Sequence, residues 1–129
     1  MTILQSSQLN ILENNCNLIL EYNGVKFVGV INYLGNLIAD GFKKGITPIG
    51  NETVRRMMYM QLKLDRTMRK DYDEFFGPAD YVVSKRGKNT KISIPIKKYM
   101  IVLIINKDIN YESVIKKTGN IFKSSLGDF

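Results

Sequence analysis

The side chains that most often perform acid–base and metal chemistry are nearly absent from this sequence. Its 129 residues contain no histidine and one cysteine, Cys16. Histidine is the side chain best suited to proton transfer near neutral pH, and a closed zinc site needs four ligands, drawn mainly from cysteine and histidine. Cys16 falls on the apolar side of a predicted helix, so we expect a buried and unreactive thiol. The sequence predicts no catalytic residue and no metal site.

One loop has the glycine spacing of a phosphate-binding motif. In the segment Gly45–Gly50 two glycines stand five residues apart, but Asn51 and Glu52 follow where that motif requires Lys and Ser or Thr. The negative charge of Glu52 at a helix start would also repel a phosphate. We therefore exclude nucleotide hydrolysis and predict no bound cofactor.

A cluster of carboxylates is the remaining candidate for catalysis. Asp71, Asp73 and Glu74 follow directly after Arg69 and Lys70. Opposite charges at this spacing are typical of ion pairs on a helix surface. We predict that the cluster is structural and that the protein is not an enzyme.

The charge balance permits an anionic partner. Nineteen basic and 12 acidic residues give a net charge of +7, while 44% hydrophobic and 24% charged residues are typical of a globular protein. A chain of this length fits one domain, residues 1–129. Basic charge favours nucleic acid, acidic protein surfaces or anionic lipid, without selecting among them.

Two groups of basic residues are candidates for contact with an anionic partner. The first is one face of a predicted helix, with Tyr59 on the same side: Arg56, Lys63, Arg66 and Lys70. The second belongs to a predicted hairpin: Lys85, Arg86, Lys88 and Lys91. Either group could meet a phosphate backbone or an acidic protein. Two alternatives stay open: a solvated helix face, and lysines that keep an edge strand from pairing.

The helix that bears the first group is the longest element. Residues Asn51–Phe76 contain no Gly or Pro and are closed by Gly77-Pro78, with Asn51 as the predicted N-cap. At about 100° per residue an arc of apolar side chains forms, which we interpret as the core-facing side: Val54, Met57, Met58, Leu64, Met68, Tyr72, Phe75 and Phe76. Asp65 interrupts the arc and is expected to pair with Arg69. Gln61 also interrupts it, which fits only a face that borders a partner.

The other elements are separated by turn signals. The pattern predicts helices over Ser7–Glu21, capped by Ser6 or Ser7, and from Asn110 to about Leu126, and strands over Val25–Tyr33, Asn36–Asp40, Ala79–Lys85, Thr90–Lys97 and Tyr99–Asn106. The run Met100–Ile105 is apolar on both faces and predicts a central strand. Pro95 lies inside a strand that should be interior, which calls for a bulge or a strand end there.

This order, α-β-β-α-β-β-β-α, resembles the roadblock/dynein-light-chain type of profilin-like domain, which is related to longin domains. The resemblance rests on the hairpin Phe27–Asp40, the methionine-rich helix and the strand Met100–Ile105. It implies an α/β (α+β) fold with a five-stranded antiparallel sheet flanked by helices. The composition, rich in Ile, Asn and Lys, is also similar to that of small archaeal members of this fold group.

The resemblance also implies a function. Roadblock-type domains usually form homodimers through the long helix and the neighbouring edge strand. Carried onto this sequence, that interface implicates Met60, Lys63, Tyr81 and Val83. It further implies a regulatory or scaffold module that associates with small Ras-like GTPases or their complexes. The charged hairpin leaves open whether a dimer uses strand pairing or helix packing.

Two other functions compete with that interpretation. A nucleic-acid-binding protein would use both basic groups, and its affinity would fall steeply with salt. A PAS-like ligand-sensing domain would share the plan of sheet and helices and would need an internal cavity. The N-terminus lacks the basic and apolar regions of a signal peptide, and no apolar run reaches the ~20 residues of a membrane span, so we expect a cytoplasmic protein.

Overall fold

A computed structural model describes residues 5–46 and 50–126. The helices and strands are, in chain order, α1 (Ser6–Leu20), β1 (Val25–Ile31), β2 (Leu37–Phe42), α2 (Glu52–Arg69), α3 (Asp73–Phe76), β3 (Val82–Arg86), β4 (Asn89–Ile96), β5 (Tyr99–Asn106) and α4 (Tyr111–Ser125). A single 3₁₀ turn, Lys70–Tyr72, joins α2 to α3. The predicted order is confirmed, and the long helix is slightly interrupted after Arg69. No described helix is long and apolar enough to cross a membrane.

The five strands form one antiparallel sheet in the order β2-β1-β5-β4-β3. The predicted central position of Met100–Ile105 is confirmed, because β5 pairs with β1 on one side and β4 on the other. All six residues of that run are buried. Because successive strand residues point to opposite faces, such a strand needs a packed layer on each side of the sheet.

The first layer consists of α1 and α4. From the helices, Leu12, Cys16, Ile19 and Phe122 are fully buried against the sheet. Strand residues contribute the alternating set Val28, Val30, Ile92, Ile94, Ile96, Ile101, Leu103 and Ile105. This is the larger of the two cores, and Ile92, Ile94 and Ile96 of β4 alternate onto it.

The second layer is α2 alone. Tyr59 and Leu62 pack on the opposite face of the sheet against a smaller buried set: Phe27, Ile31, Met100, Val102 and Ile104. These sheet residues come from β1 and β5, with half-buried Leu37 and Phe42 of β2 at the margin. None comes from β3 or β4. The helix therefore covers one half of its face of the sheet and leaves the other half open.

Asparagine side chains stabilise the turns and helix starts. The predicted caps are confirmed: the Asn51 side chain accepts a hydrogen bond from the Val54 amide at 2.9 Å, and Asn110 caps α4 in the same way. The Asn32 side chain accepts from the Leu34 and Asn36 amides, and Gly35 takes a φ of +85°. The predicted cap of α1 at Ser6 or Ser7 is wrong, because the helix begins at Ser6 and Gln5 precedes it as N-cap.

The proline in an interior strand is accommodated by a strand end. Pro95 of β4 pairs with Met100 of β5, while the β3 ladder starts opposite Ser93, at Val82. At Pro95 the strand therefore has a partner on one side only, and the missing N–H costs no β3–β4 bond.

Part of the glycine-spaced segment Gly45–Gly50 lies outside the described residues, as do residues 1–4 and 127–129.

The burial of Cys16 yields a first prediction. Burial raises the pKa of this thiol to about 12, with smaller contributions from Asp40 and Glu13. Only the thiolate attacks disulfide reagents, so the native protein should not react with an aromatic disulfide such as Ellman's reagent at pH 8. In denaturant, one thiol per chain should react within minutes. Rapid reaction of the native protein would contradict the burial of Cys16.

Candidate functional site

Helix α2 is rotated differently from what its apolar arc predicts. The residues that face the sheet are Tyr59, 3% exposed, and Leu62, with Arg55, Met58 and Arg66 half-buried beside them. Tyr59, predicted on the outer basic face, is in the core, and burial raises the pKa of its hydroxyl. The interpretation of the apolar arc as the core-facing side is therefore wrong; of its members, Met58 alone packs against the core.

The other arc residues are exposed to solvent. We call Val54, Met57, Leu64 and Met68 the apolar stripe; Met57 is 60% and Met68 67% exposed. At the C-terminal end, Tyr72, Phe75 and Phe76 are exposed too, Phe76 by 85%. The rings of Tyr72 and Phe76 pack against each other in a tilted arrangement, with 6.5 Å between their centroids. Exposed apolar side chains grouped along one helix favour contact with a partner.

The error has a physical cause. At about 100° per residue, the direction through Tyr59 and Leu62 lies roughly 130° from the middle of the arc. Two of the five residues on the inner side, Arg55 and Arg66, are arginines, whose aliphatic stems can be half-buried while the guanidinium groups donate to backbone carbonyls. Hydrophobicity alone therefore selected the wrong side. The helical spacing of Tyr59, Leu62 and Arg66, three and four residues apart, was the sequence signal that could have indicated the buried side.

The apolar stripe forms one wall of a groove. On the other side of the groove lies the half of the sheet that α2 leaves open, with β4 and β3 as its floor and far wall. Two adjoining cavities of about 440 Å³ each follow the groove. Gln61 lines both cavities, next to Lys91, so the polar residue within the predicted arc faces the groove.

The groove is lined by four charged side chains, two of which form an ion pair: Asp65, Arg69, Arg86 and Lys91. The predicted Asp65–Arg69 pair is confirmed, with an Nε–Oδ2 distance of 2.8 Å. Lys91 is half-buried in the groove floor, and its pKa is lowered, first by burial and then by Arg86, while Asp65 acts in the opposite direction.

Strand β3 is an edge of the sheet, bordering this groove. Val82 and Ser84 face the groove, whereas Val83 packs against the core on the other face. As the outermost strand, β3 has one side without a sheet neighbour, and such an edge is a template for pairing.

The four residues expected at a dimer interface do not form one surface. Met60 and Lys63 lie on the flank of α2 away from the groove, where both side chains approach Gly35 of the β1–β2 turn. Val83 faces the α1–α4 layer, and the exposed Tyr81 precedes β3. The helix residues that face β3 are those of the apolar stripe.

The basic hairpin is also divided. Lys85 lies over the ring of Tyr111 in α4, at 5.3 Å from Nζ to the centroid, whereas Lys91 and Arg86 line the groove on the opposite face. Lys88 is exposed in the turn. The four charges of the hairpin therefore do not lie on one surface, because alternate strand residues point to opposite faces.

Three of the four residues of the basic helix face do meet. Arg56 instead forms an exposed ion pair with Glu52 at 2.9 Å. Lys63, Arg66 and Lys70 line a pocket on the flank away from the groove, together with Lys98 of the β4–β5 turn, which the sequence analysis missed. The Arg66 guanidinium donates to the Tyr99 and Lys97 carbonyls at 2.8 and 2.6 Å. Arg66 therefore ties the β4–β5 turn to α2.

Comparison with known proteins identifies the fold. No protein-family model and no curated protein sequence matches the chain. Among solved structures, a roadblock/LC7 domain from Streptomyces avermitilis matches with a TM-score of 0.72 at 7% identity, over 89% of this chain and 94% of that one. The gliding protein MglB from Thermus thermophilus matches with a TM-score of 0.78 at 10% identity, over 96% and 91%.

A second MglB structure, described with a tetrameric arrangement, matches with a TM-score of 0.73 at 10% identity over 96% of both chains. Profilin II from Acanthamoeba castellanii matches at 0.53 and 14% identity, over 81% of this chain and 86% of that one. The chain therefore has the roadblock/LC7 fold, within the wider profilin-like group.

The contacts of Arg66 yield a second prediction. Replacing Arg66 with Met keeps an apolar stem but removes the donors to two carbonyls, so the free energy of unfolding should fall by about 1–3 kcal/mol. Arg56→Met on the same helix loses only an exposed ion pair and should change it by less than about 0.5 kcal/mol. Urea unfolding followed by circular dichroism measures both. Equal losses would contradict the role given to Arg66.

Proposed function

We propose that this protein is a homodimeric, non-catalytic regulatory or scaffold module that binds a protein partner. The observation that supports it is the exposed apolar stripe on α2, beside an open groove and an edge strand. Isolated exposed apolar residues are normal on proteins, but a row of them along one helix favours a partner. We take the partner at this surface to be a second copy of the chain.

A two-fold axis beside β3 would satisfy both the strand edge and the helix. Antiparallel pairing of two β3 strands about Ser84 would put Lys85 opposite Val83 and Arg86 opposite Val82 of the partner. Like charges would then not face each other, which removes the objection raised by the charged hairpin. The two α2 helices would approach across the extended sheet, with their apolar stripes between them.

The composition of the groove suits the interface of a stable dimer. Specific interfaces bury roughly 1,200–2,000 Å² in total and are most apolar at the centre, often with methionine and aromatic residues. The apolar stripe supplies the centre, and Lys91, Arg86 and Gln61 supply polar atoms around it. Self-association is further supported by the fold's occurrence in a tetrameric MglB arrangement.

A charge placed in the apolar stripe should prevent the dimer. In a symmetric interface Leu64→Glu buries two unpaired carboxylates, each costing about 3–5 kcal/mol, so the variant should be monomeric where the wild type is dimeric. Light scattering coupled to size exclusion at micromolar concentration measures the mass. A monomeric wild type at high micromolar concentration would refute the proposed dimer.

Leu18→Glu is the matched control. It adds the same charge in place of a leucine that is 48% exposed, on α1 at the other face of the sheet. This variant should remain dimeric. If it dissociates as readily as Leu64→Glu, the effect is not specific to the apolar stripe and the assigned interface is wrong.

The proposed partner of the dimer is a small Ras-like GTPase or its complex. The proposal is supported by the resemblance of the sequence to roadblock-type domains and by the fold that the chain shares with them. Extended sheets with helices on both faces offer rigid platforms for a second protein, and a symmetric dimer offers two equivalent ones.

An affinity experiment tests this partner directly. The immobilised full chain is incubated with native lysate in GDP or in a non-hydrolysable GTP analogue, and retained proteins are identified by mass spectrometry. We expect a GTPase whose recovery differs between the two nucleotides and falls with the Leu64→Glu variant. Recovery dominated by nucleic acid, or unaffected by nucleotide, would contradict the proposal.

A further inference from the structure

We propose that the pocket on the flank of α2 opposite the apolar stripe binds a phosphate or diphosphate group. We call it the basic pocket. It lies where the middle of α2, the β1–β2 turn and the β4–β5 turn meet, and its lining includes Lys63, Arg66, Lys70, Lys98, Tyr33 and Thr67. Three separate chain segments meet at one concave surface, and two of them bring cations to it, which suits a compact multivalent anion.

The lining of the basic pocket itself contains cations without carboxylates, although Arg66 and Lys70 also line an adjoining cavity with Asp65 and Asp73. Among the described residues no carboxylate belongs to its lining, and none forms an ion pair with Lys63, Lys70 or Lys98. By contrast, Arg56 and Arg69 on the same helix each have an acidic partner one turn away. Like charges held together repel each other, so an anion bound among them would relieve that repulsion.

Arg66 gives the pocket a fixed donor. Its guanidinium is oriented by the carbonyls of Tyr99 and Lys97, which use two of its five N–H groups. Burial lowers the pKa of Arg66, yet a guanidinium stays charged at physiological pH. A planar donor that is held in place in this way loses little entropy when it binds phosphate oxygens.

The helix dipole does not account for the whole cluster. Lys70 is the C-cap of α2, where a cation also stabilises the partial negative charge of the helix end. Lys63 lies two turns earlier, and Lys98 belongs to a different segment. Lys97 contributes to the lining too, but its Nζ donates to the Leu126 carbonyl. The helix dipole therefore does not explain why Lys63 and Lys98 lie beside Lys70.

The size of the pocket limits the ligand. Its volume is about 190 Å³, below the ~300–1,000 Å³ of sites for drug-sized molecules. Buried Met100 belongs to the lining, so the pocket ends against the sheet. One or two phosphate groups fit this volume, either as a free anion or as the end of a larger molecule that extends into solvent.

Titration of the full chain with inorganic diphosphate tests the site. Amide shifts in ¹H–¹⁵N spectra at constant ionic strength should appear at Asn32, Tyr33, Thr67 and Lys98. A double variant, Lys63→Gln with Lys98→Gln, should bind at least about tenfold more weakly, since two charged hydrogen bonds are lost. If it fails to fold, Lys98→Gln alone, an exposed turn position, replaces it, with an expected loss of about threefold.

The control removes the same charge elsewhere. Lys85→Gln with Lys88→Gln changes the net charge equally on the distant β3–β4 hairpin and should alter diphosphate affinity less than about twofold. Equal weakening by both pairs, or shifts spread over all basic surfaces, would overturn the proposal in favour of diffuse charge attraction. Absence of diphosphate binding, together with no binding in the vesicle experiment below, would also overturn it.

A vesicle experiment distinguishes the two sources of phosphate. Phosphatidylcholine vesicles with and without phosphatidylinositol 4-phosphate are sedimented with the wild type and both variant pairs. Binding that needs the phosphoinositide and Lys63 with Lys98 identifies a lipid headgroup as the source. Diphosphate binding without vesicle binding identifies a free phosphate compound. Because the pocket lies away from the apolar stripe, Leu64→Glu should leave either result unchanged, so a failure of the dimer proposal is distinguishable.

Discussion

The apolar character of β5 on both faces is the constraint on which the rest of this structure depends. A strand of that kind must be covered twice. Two helices, α1 and α4, cover one face completely, but α2 alone serves the other and seals only the half formed by β1, β2 and β5. The uncovered half of that face, with β4 and the edge strand β3, becomes the groove.

The two flanks of α2 follow from this arrangement and have opposite characters. Toward β3 the helix presents the apolar stripe to an unfilled groove. Toward the β1–β2 turn it presents cations, and Arg66 fastens it to the β4–β5 turn from that side. The proposed dimer surface and the proposed anion site therefore lie on different flanks of one helix and use different residues.

Much of the fold was predictable from local chemistry. Asn51 and Asn110 cap helices because the side-chain oxygen of asparagine accepts hydrogen bonds from the free amides of the first turn. Gly77 ends the helical segment with a φ of +83°. The bounds of β5 were predicted to the residue. The Asp65–Arg69 pair was predictable because it joins residues four apart on one helix. Each of these features depends on neighbours in sequence.

The sequence by itself determined the elements, their order and the central strand, since periodicity and turn residues act over a few residues. The tertiary structure decided which side of α2 meets the sheet. That choice depends on how arginine stems and an aromatic ring fit over β1 and β5, and hydrophobicity summed around a wheel does not record fit. It also decided that Lys98 joins Lys63, Arg66 and Lys70, because residues 28 to 35 positions apart in the sequence meet only when the chain folds.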